Sequence, residues 1–141
     1  MSLRALRLLN RLKLNNNNLL TFNHLKNLDI NFSDFHDLTI NEIYMYNHYD
    51  KLIIDSDENF EFSLLFWHPN GFSKLHNHDG RHCIFRVLQG NLKEIKISND
   101  EKYSLTRISE NETVEINGED YHQVINETEE EVITFNIYKK N

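Results

Sequence analysis

From Tyr46 onward the chain is a succession of short β-prone runs separated by Asn, Gly and Asp breakers, and this rhythm limits its fold more than any other feature. The runs are Asp50–Asp55, Phe60–Trp67, Cys83–Leu88, Leu92–Ile97, Tyr103–Ile108, Thr113–Ile116, Tyr121–Asn126 and Val132–Tyr138. They recur about every eight to twelve residues, which suits an antiparallel sandwich or barrel. Phe60–Trp67 (FEFSLLFW) opens with apolar/polar alternation and becomes continuously apolar. A strand behaves this way when it passes from a half-exposed edge into a buried interior. The expected fold class is mainly β: a small antiparallel barrel preceded by a short helical region.

The N-terminal part is different in character. Residues 1–28 hold three arginines, two lysines and no acid. Ser2 to Leu14 sets Leu3, Leu8 and Leu12 at helical spacing, as an amphipathic helix docked on a sheet would. An organelle-targeting presequence shares these features, but no cleavage-site pattern follows. Asn15–Asn18 is a breaker, Leu19–Leu28 a second helical candidate, and Ser33 or Asp34 a helix cap. Thr39-Ile40-Asn41-Glu42 reads as a further cap, with helix continuing through Met45. The expected organisation is a single domain over 1–141, with a helical cap over 1–48 and the barrel over 49–141.

Composition narrows the function. Acidic residues number 22 against 15 basic ones, which argues against nucleic acid as a partner. A single cysteine excludes an intramolecular disulfide and suits a reducing, cytoplasmic setting. No run approaches the roughly 18 apolar residues of a membrane span. A monomer with no membrane partner is expected.

The chemistry concentrates in Lys74-Leu75-His76-Asn77-His78-Asp79-Gly80-Arg81-His82-Cys83. Two residues apart on a strand, His76 and His78 point to one face. Asp79-Gly80 reads as a two-residue hairpin turn, since both positions tolerate positive φ. A reversal there sets His78 opposite Arg81 and His76 opposite Cys83, gathering imidazoles, guanidinium and thiol on one face. His122, which opens a late strand, can join His76 and His78 if the sheet closes on itself, and a barrel mouth is a natural small-molecule site.

Taken together these residues resemble a cupin, and within the cupins the cysteine dioxygenases. His76-x-His78, four residues, Cys83, six residues and Gly90 match the first cupin motif, with cysteine at the usual glutamate position. That cysteine, and the segment Leu88-Gln89-Gly90-Asn91-Leu92-Lys93-Glu94, are distinctive of the cysteine dioxygenases. Gly118, His122 and Asn126 match the second motif. The resemblance runs from about Asp34 to the C-terminus.

The resemblance implies Fe(2+) held by His76, His78 and His122. Three imidazoles with open positions also bind Zn²⁺, and copper more tightly, so physical chemistry alone does not select iron. Cys83 has three readings: a buried small apolar residue, a metal ligand, or, as the resemblance implies, a thioether crosslink to Tyr138. The family anchors the substrate carboxylate with a Tyr-x-Arg pattern, where this chain reads Tyr49-Asp50-Lys51. Lysine keeps the charge and loses the planar two-pronged geometry. Arg81, facing inward by the hairpin argument, is a candidate replacement. Asn136 stands where the family has a histidine bonded to the tyrosine hydroxyl, and Thr134 takes the nearby hydroxyl position.

The expected function is an iron(II)-dependent thiol dioxygenase taking L-cysteine and O2 to cysteine sulfinic acid. The rivals are a dioxygenase for another small thiol, 3-mercaptopropionate or cysteamine, and a metal-binding cupin without turnover. No glutamate base is obvious near the histidines, which disfavours a hydrolytic zinc cupin.

Overall fold

The computed structural model describes residues 2–13, 30–35 and 42–140. The Asn15–Asn18 breaker, the Leu19–Leu28 helical candidate, His24, His36 and the cap at 39–41 lie outside these residues.

The amphipathic N-terminal segment forms α1, Leu3–Lys13. Ser2 caps it, its hydroxyl accepting from the Ala5 amide at 3.0 Å. The buried stripe is Ala5, Leu8, Leu9 and Leu12, the i, i+3, i+4, i+7 set of one helix face, whereas Leu3 is exposed. Arg4 pairs with the buried Asp34 at 2.9 Å and Lys13 pairs with Asp55, tying the helix to the rest of the molecule. The start expected near Ser33 is a short 3₁₀ turn, Phe32–Phe35. No helix among the described residues is long and apolar enough to cross a membrane.

Among the described residues nine strands follow: β1 Glu42–Met45, β2 Tyr49–Ser56, β3 Phe60–Trp67, β4 Cys83–Gln89, β5 Leu92–Ile97, β6 Tyr103–Ile108, β7 Thr113–Ile116, β8 Tyr121–Ile125 and β9 Val132–Lys139. The helix expected through Met45 is instead β1, an edge strand paired antiparallel with β2. Ile43, Tyr44 and Met45 are β-tolerant residues, and the open edge of β2 pairs the backbone groups on one side of this segment.

All pairings are antiparallel and fall into two sheets, ordered β1-β2-β3-β9-β4-β7 and β6-β5-β8. The barrel is therefore a jelly roll of two facing sheets, not one closed ring. Strand alternation explains the apolar run in β3, because the six-stranded sheet is covered on both sides. Phe60, Phe62 and Leu64 pack with Phe135, Ile137 and the α1 leucines. Leu65 and Trp67 pack inward with Phe85, Val87, Ile116 and Val124, between the sheets.

The same alternation sorts the chemistry. On β2, Tyr49 and Lys51 share parity. On β3, Glu61 has the parity of Leu65 and Trp67. On β4, Cys83 has that of Phe85, and on β9, Thr134, Asn136 and Tyr138 have that of Val132. All of these belong to the face turned toward the second sheet.

Candidate metal centre and cavity

The histidine stretch is not the strand its spacing suggested. The turn forms, with Asp79 at φ 54° and Gly80 at φ 79°, and the Arg81 amide donates to the His78 carbonyl at 3.0 Å. The flanks, however, do not pair with each other. His76 lies opposite His122, and the two exchange backbone hydrogen bonds at 3.0 and 2.8 Å. Cys83 lies opposite Ile116 on one side and Tyr138 on the other. Residues 72–78 instead run along β8: Ser73 and Val124 bond through their backbones at 2.9 Å, and the Ser73 hydroxyl accepts from the Val124 amide at 3.0 Å. The hairpin tip docks on Gly118, whose carbonyl accepts from the amides of His78 and Gly80, both at 3.2 Å. This carries the first histidines to the third without a closed sheet.

The three side chains converge. One ring nitrogen from each of His76, His78 and His122 lies within 4.8 Å of the others, and the Nε2 atoms of His78 and His122 are 2.9 Å apart. Two of the rings are oriented from behind. His76 Nδ1 donates to the Lys74 carbonyl at 2.6 Å, and His122 Nδ1 donates to Glu94 Oε2 at 3.2 Å. With their protons on Nδ1, both rings turn an Nε2 lone pair into the cluster. Burial lowers the His76 pKa, and burial together with His122, His76 and Lys51 lowers that of His78 to about 4. At neutral pH both are uncharged, the form that binds metal.

This donor set fits a metal ion. Two nitrogens about 2.1 Å from an ion and about 90° apart are separated by about 3.0 Å, against about 3.4 Å at the tetrahedral angle. The 2.9 Å between the Nε2 atoms of His78 and His122 is a hydrogen-bond separation, and it is short enough for both nitrogens to bind one ion in the place of the shared proton.

Glu94 is a functional residue that the sequence reading missed. It is 3% exposed on β5, with the inward parity of buried Leu92, and it does not line the cavity. It orients His122 and is not placed to act as a base on a guest. An acid at a core-parity position was the available signal. Replacing it with leucine is expected to lower metal affinity about 10- to 100-fold, and with glutamine by less, in a chelator-competition titration.

A small cavity opens beside the histidines, lined also by Tyr49, Trp67, Cys83, Phe85 and Tyr138. Cys83 and Tyr138 face each other across β4 and β9. Burial raises the pKa of both, with Glu94 adding to the effect on the thiol. Tyr138 is held by a relay on one face of β9. Trp67 Nε1 donates to Thr134 Oγ1 at 3.1 Å, Thr134 donates to Asn136 Oδ1 at 2.6 Å, and Asn136 Nδ2 donates to the Tyr138 hydroxyl at 3.3 Å. Asparagine at 136 thus still contacts the tyrosine. Tyr49 stacks on Trp67 with centroids 4.8 Å apart.

Lys51 and Arg81 separate. The Lys51 ammonium lies 4.8 Å from the centre of the Tyr138 ring and pairs with Glu61 at 2.7 Å. Arg81 is exposed and lines the outer mouth, not the inner cavity, because the turn carries it past His78 toward solvent. Asn126 is a structural residue. Its amide donates to the carbonyls of Trp67, His68 and Glu130 at 3.1, 3.0 and 2.8 Å, fixing the end of β3 against β8.

Comparison with known proteins agrees with this geometry. A family model described as Cysteine dioxygenase type I matches residues 20–136. Cysteine dioxygenase type 1 of Homo sapiens is 30% identical over 69 residues, 49% of this chain and 34% of the human protein, and its Pongo abelii counterpart matches equally. The match spans about a third of the length of these curated relatives. Among solved structures, the cupin domain of Drosophila melanogaster CENP-C is similar at TM-score 0.63 and 11% identity, over 69% of this chain and 74% of that one. The Cnp3 cupin domain of Schizosaccharomyces pombe follows at TM-score 0.62 and 11% identity, over 71% and 69%. Oxalate decarboxylase of Lactobacillus farciminis reaches TM-score 0.63 and 17% identity, over 70% of this chain and 30% of that one. At such identities the likeness concerns the cupin fold alone. The family match extends over most of the sequence, and the chain belongs to the cysteine dioxygenase type I family.

Proposed function

We propose that the chain is an iron(II)-dependent thiol dioxygenase that oxidises L-cysteine with O2 to cysteine sulfinic acid. The observation that carries this reading is that three imidazoles converge on the cavity that Cys83 and Tyr138 line from the facing sheet. When bound by His76, His78 and His122, ferrous iron supplies the Lewis acidity that deprotonates a thiol and the redox capacity to activate dioxygen.

The chain's own residues do the rest. Trp67, Phe85, Ile116 and Val124 keep the inner cavity apolar and limit water beside the reacting groups. Tyr138 accepts a hydrogen bond from Asn136, which leaves its own hydroxyl proton to donate to a guest. Lys51 and Tyr49 line the mouth, where the polar end of a small thiol substrate lies. The register of Cys83 against Tyr138 supports a thioether between them. That bond removes the thiol hydrogen and one ring hydrogen, with dioxygen taking the two electrons.

Iron-loaded protein is expected to consume one O2 per cysteine and to place both atoms of labelled dioxygen in the sulfinate, read by an oxygen electrode and mass spectrometry. Protein that loads iron yet takes up no oxygen with L-cysteine, cysteamine or 3-mercaptopropionate is a metal-binding cupin without turnover, and the proposal fails. Turnover of another small thiol in preference to cysteine is the second reading. Between the two alternatives, the pairing of Lys51 with Glu61 favours cysteamine over 3-mercaptopropionate, because the lysine charge is already engaged.

A further inference from the structure

Lys51 does not stand at the cavity mouth as a lone cation. Its partner Glu61 comes from the neighbouring strand β3, on the same inward parity, and is the register partner of Tyr138 on β9. The side chains of Lys51 and Glu61 are each 21% exposed, and both line the mouth with His76, His78 and Tyr138. A carboxylate held this close cancels the charge that a lone lysine or arginine would present to an anion. It also adds something of its own. Glu61 offers about four lone-pair sites and Lys51 three N–H donors, so each keeps capacity after their mutual bond. To a guest, the pair presents one anionic acceptor and one cationic donor side by side. That pattern complements an ammonium, or an ammonium with a carboxylate, and it opposes a carboxylate alone.

We propose that Glu61 determines specificity: paired with Lys51 at the mouth, it selects thiols that carry an ammonium group and disfavours thiols whose only charge is a carboxylate. The inference rests on the thiol dioxygenase reading for its substrate class, and it names the aminothiols within it. The order of preference is L-cysteine, then cysteamine, then 3-mercaptopropionate. Arg81, Lys139, Lys140 and Asp79 also line the mouth, but they are common to the wild type and the variants, so a ratio of affinities isolates Glu61.

The test uses the chain loaded with Zn²⁺, which holds a thiol without turnover, and calorimetric titration with cysteamine and 3-mercaptopropionate under argon. Glu61→Gln keeps the shape and removes the charge. It is expected to lower the cysteamine-to-3-mercaptopropionate affinity ratio at least tenfold, while Lys51→Met raises it. Should Glu61→Gln fail to fold, Glu61→Ser and Lys51→Met carry the same comparison. A ratio that moves less than threefold in the Glu61 variants overturns the inference. Oxygen uptake by the iron-loaded chain is read separately. Thiol binding without any uptake defeats the dioxygenase reading and leaves the ratio to decide on Glu61, and a chain that binds no thiol defeats both.

Discussion

Replacing His122 with alanine is expected to abolish stable metal loading and to reduce thiol-dependent oxygen uptake to the level of metal-free protein. The loss has two sources. One is the missing ligand, since His122 Nε2 sits 2.9 Å from that of His78 at the heart of the cluster. The other is Glu94, which loses the imidazole that satisfies it while remaining buried. Leaving a buried acceptor without its donor costs about 1–3 kcal/mol, and more when the acceptor is charged. Lys96, 3.8 Å from the other Glu94 oxygen, softens this, so a cost of about 3 kcal/mol, or about 10 °C in the melting midpoint of metal-free protein, is expected. The double change His122→Leu with Glu94→Leu distinguishes the two sources. It recovers much of the stability, because no buried carboxylate is left without its imidazole and Lys96 is partly exposed, and none of the metal loading. If the double variant melts no higher than His122→Ala, the proposed role of Glu94 is wrong.

Gly118→Ala is expected to weaken metal binding at least 100-fold although the residue touches no ligand atom. A Cβ at this position would stand 2.2 Å from the Gly80 carbonyl carbon and 2.3 Å from the Arg81 amide nitrogen. Both neighbours are backbone, and the hairpin tip can only move away. That movement breaks the bonds from His78 and Gly80 to the Gly118 carbonyl and draws His78 off the centre, leaving His122 behind on β8. The stability cost is smaller, about 1–3 kcal/mol, because neither core cluster includes the tip. Gly80→Ala is the contrast. Its φ of 79° costs about 1 kcal/mol, and the nearest obstacle is the flexible Glu119 carboxylate at 2.9 Å. Chelator competition and thermal melts on the two variants check both statements. Near-native metal affinity in Gly118→Ala would rule out the docking of the tip as the determinant of the site.

Much of this was legible because it depends on local periodicity and turn chemistry. The bounds of β3, β5, β6 and β7 follow from apolar runs closed by Asn, Asp and Gly, as read from the chain alone. The Asp79-Gly80 turn follows from two residues that accept positive φ. His76 and His78 are marked by their spacing, and Gly118, His122 and Asn126 by the resemblance to the second cupin motif. Glu42–Met45 was misread as helix, because an edge strand takes its stability from the neighbour it pairs with, and no local signal encodes that neighbour. Arg81 was misplaced for a related reason. A hairpin turn does not oblige its flanks to pair, and here His76 pairs with His122 instead.

By itself, the sequence determined most of the segments that become strands, which residues of each share a face, and the three histidines that converge. These are consequences of a two-residue repeat and of the backbone preferences of single residues. Only the tertiary structure decided that Glu94 stands behind His122, that Lys51 is claimed by Glu61, and that the histidine hairpin rests on Gly118. Each of these contacts depends on which segments pair and in what register, which no short window of residues specifies.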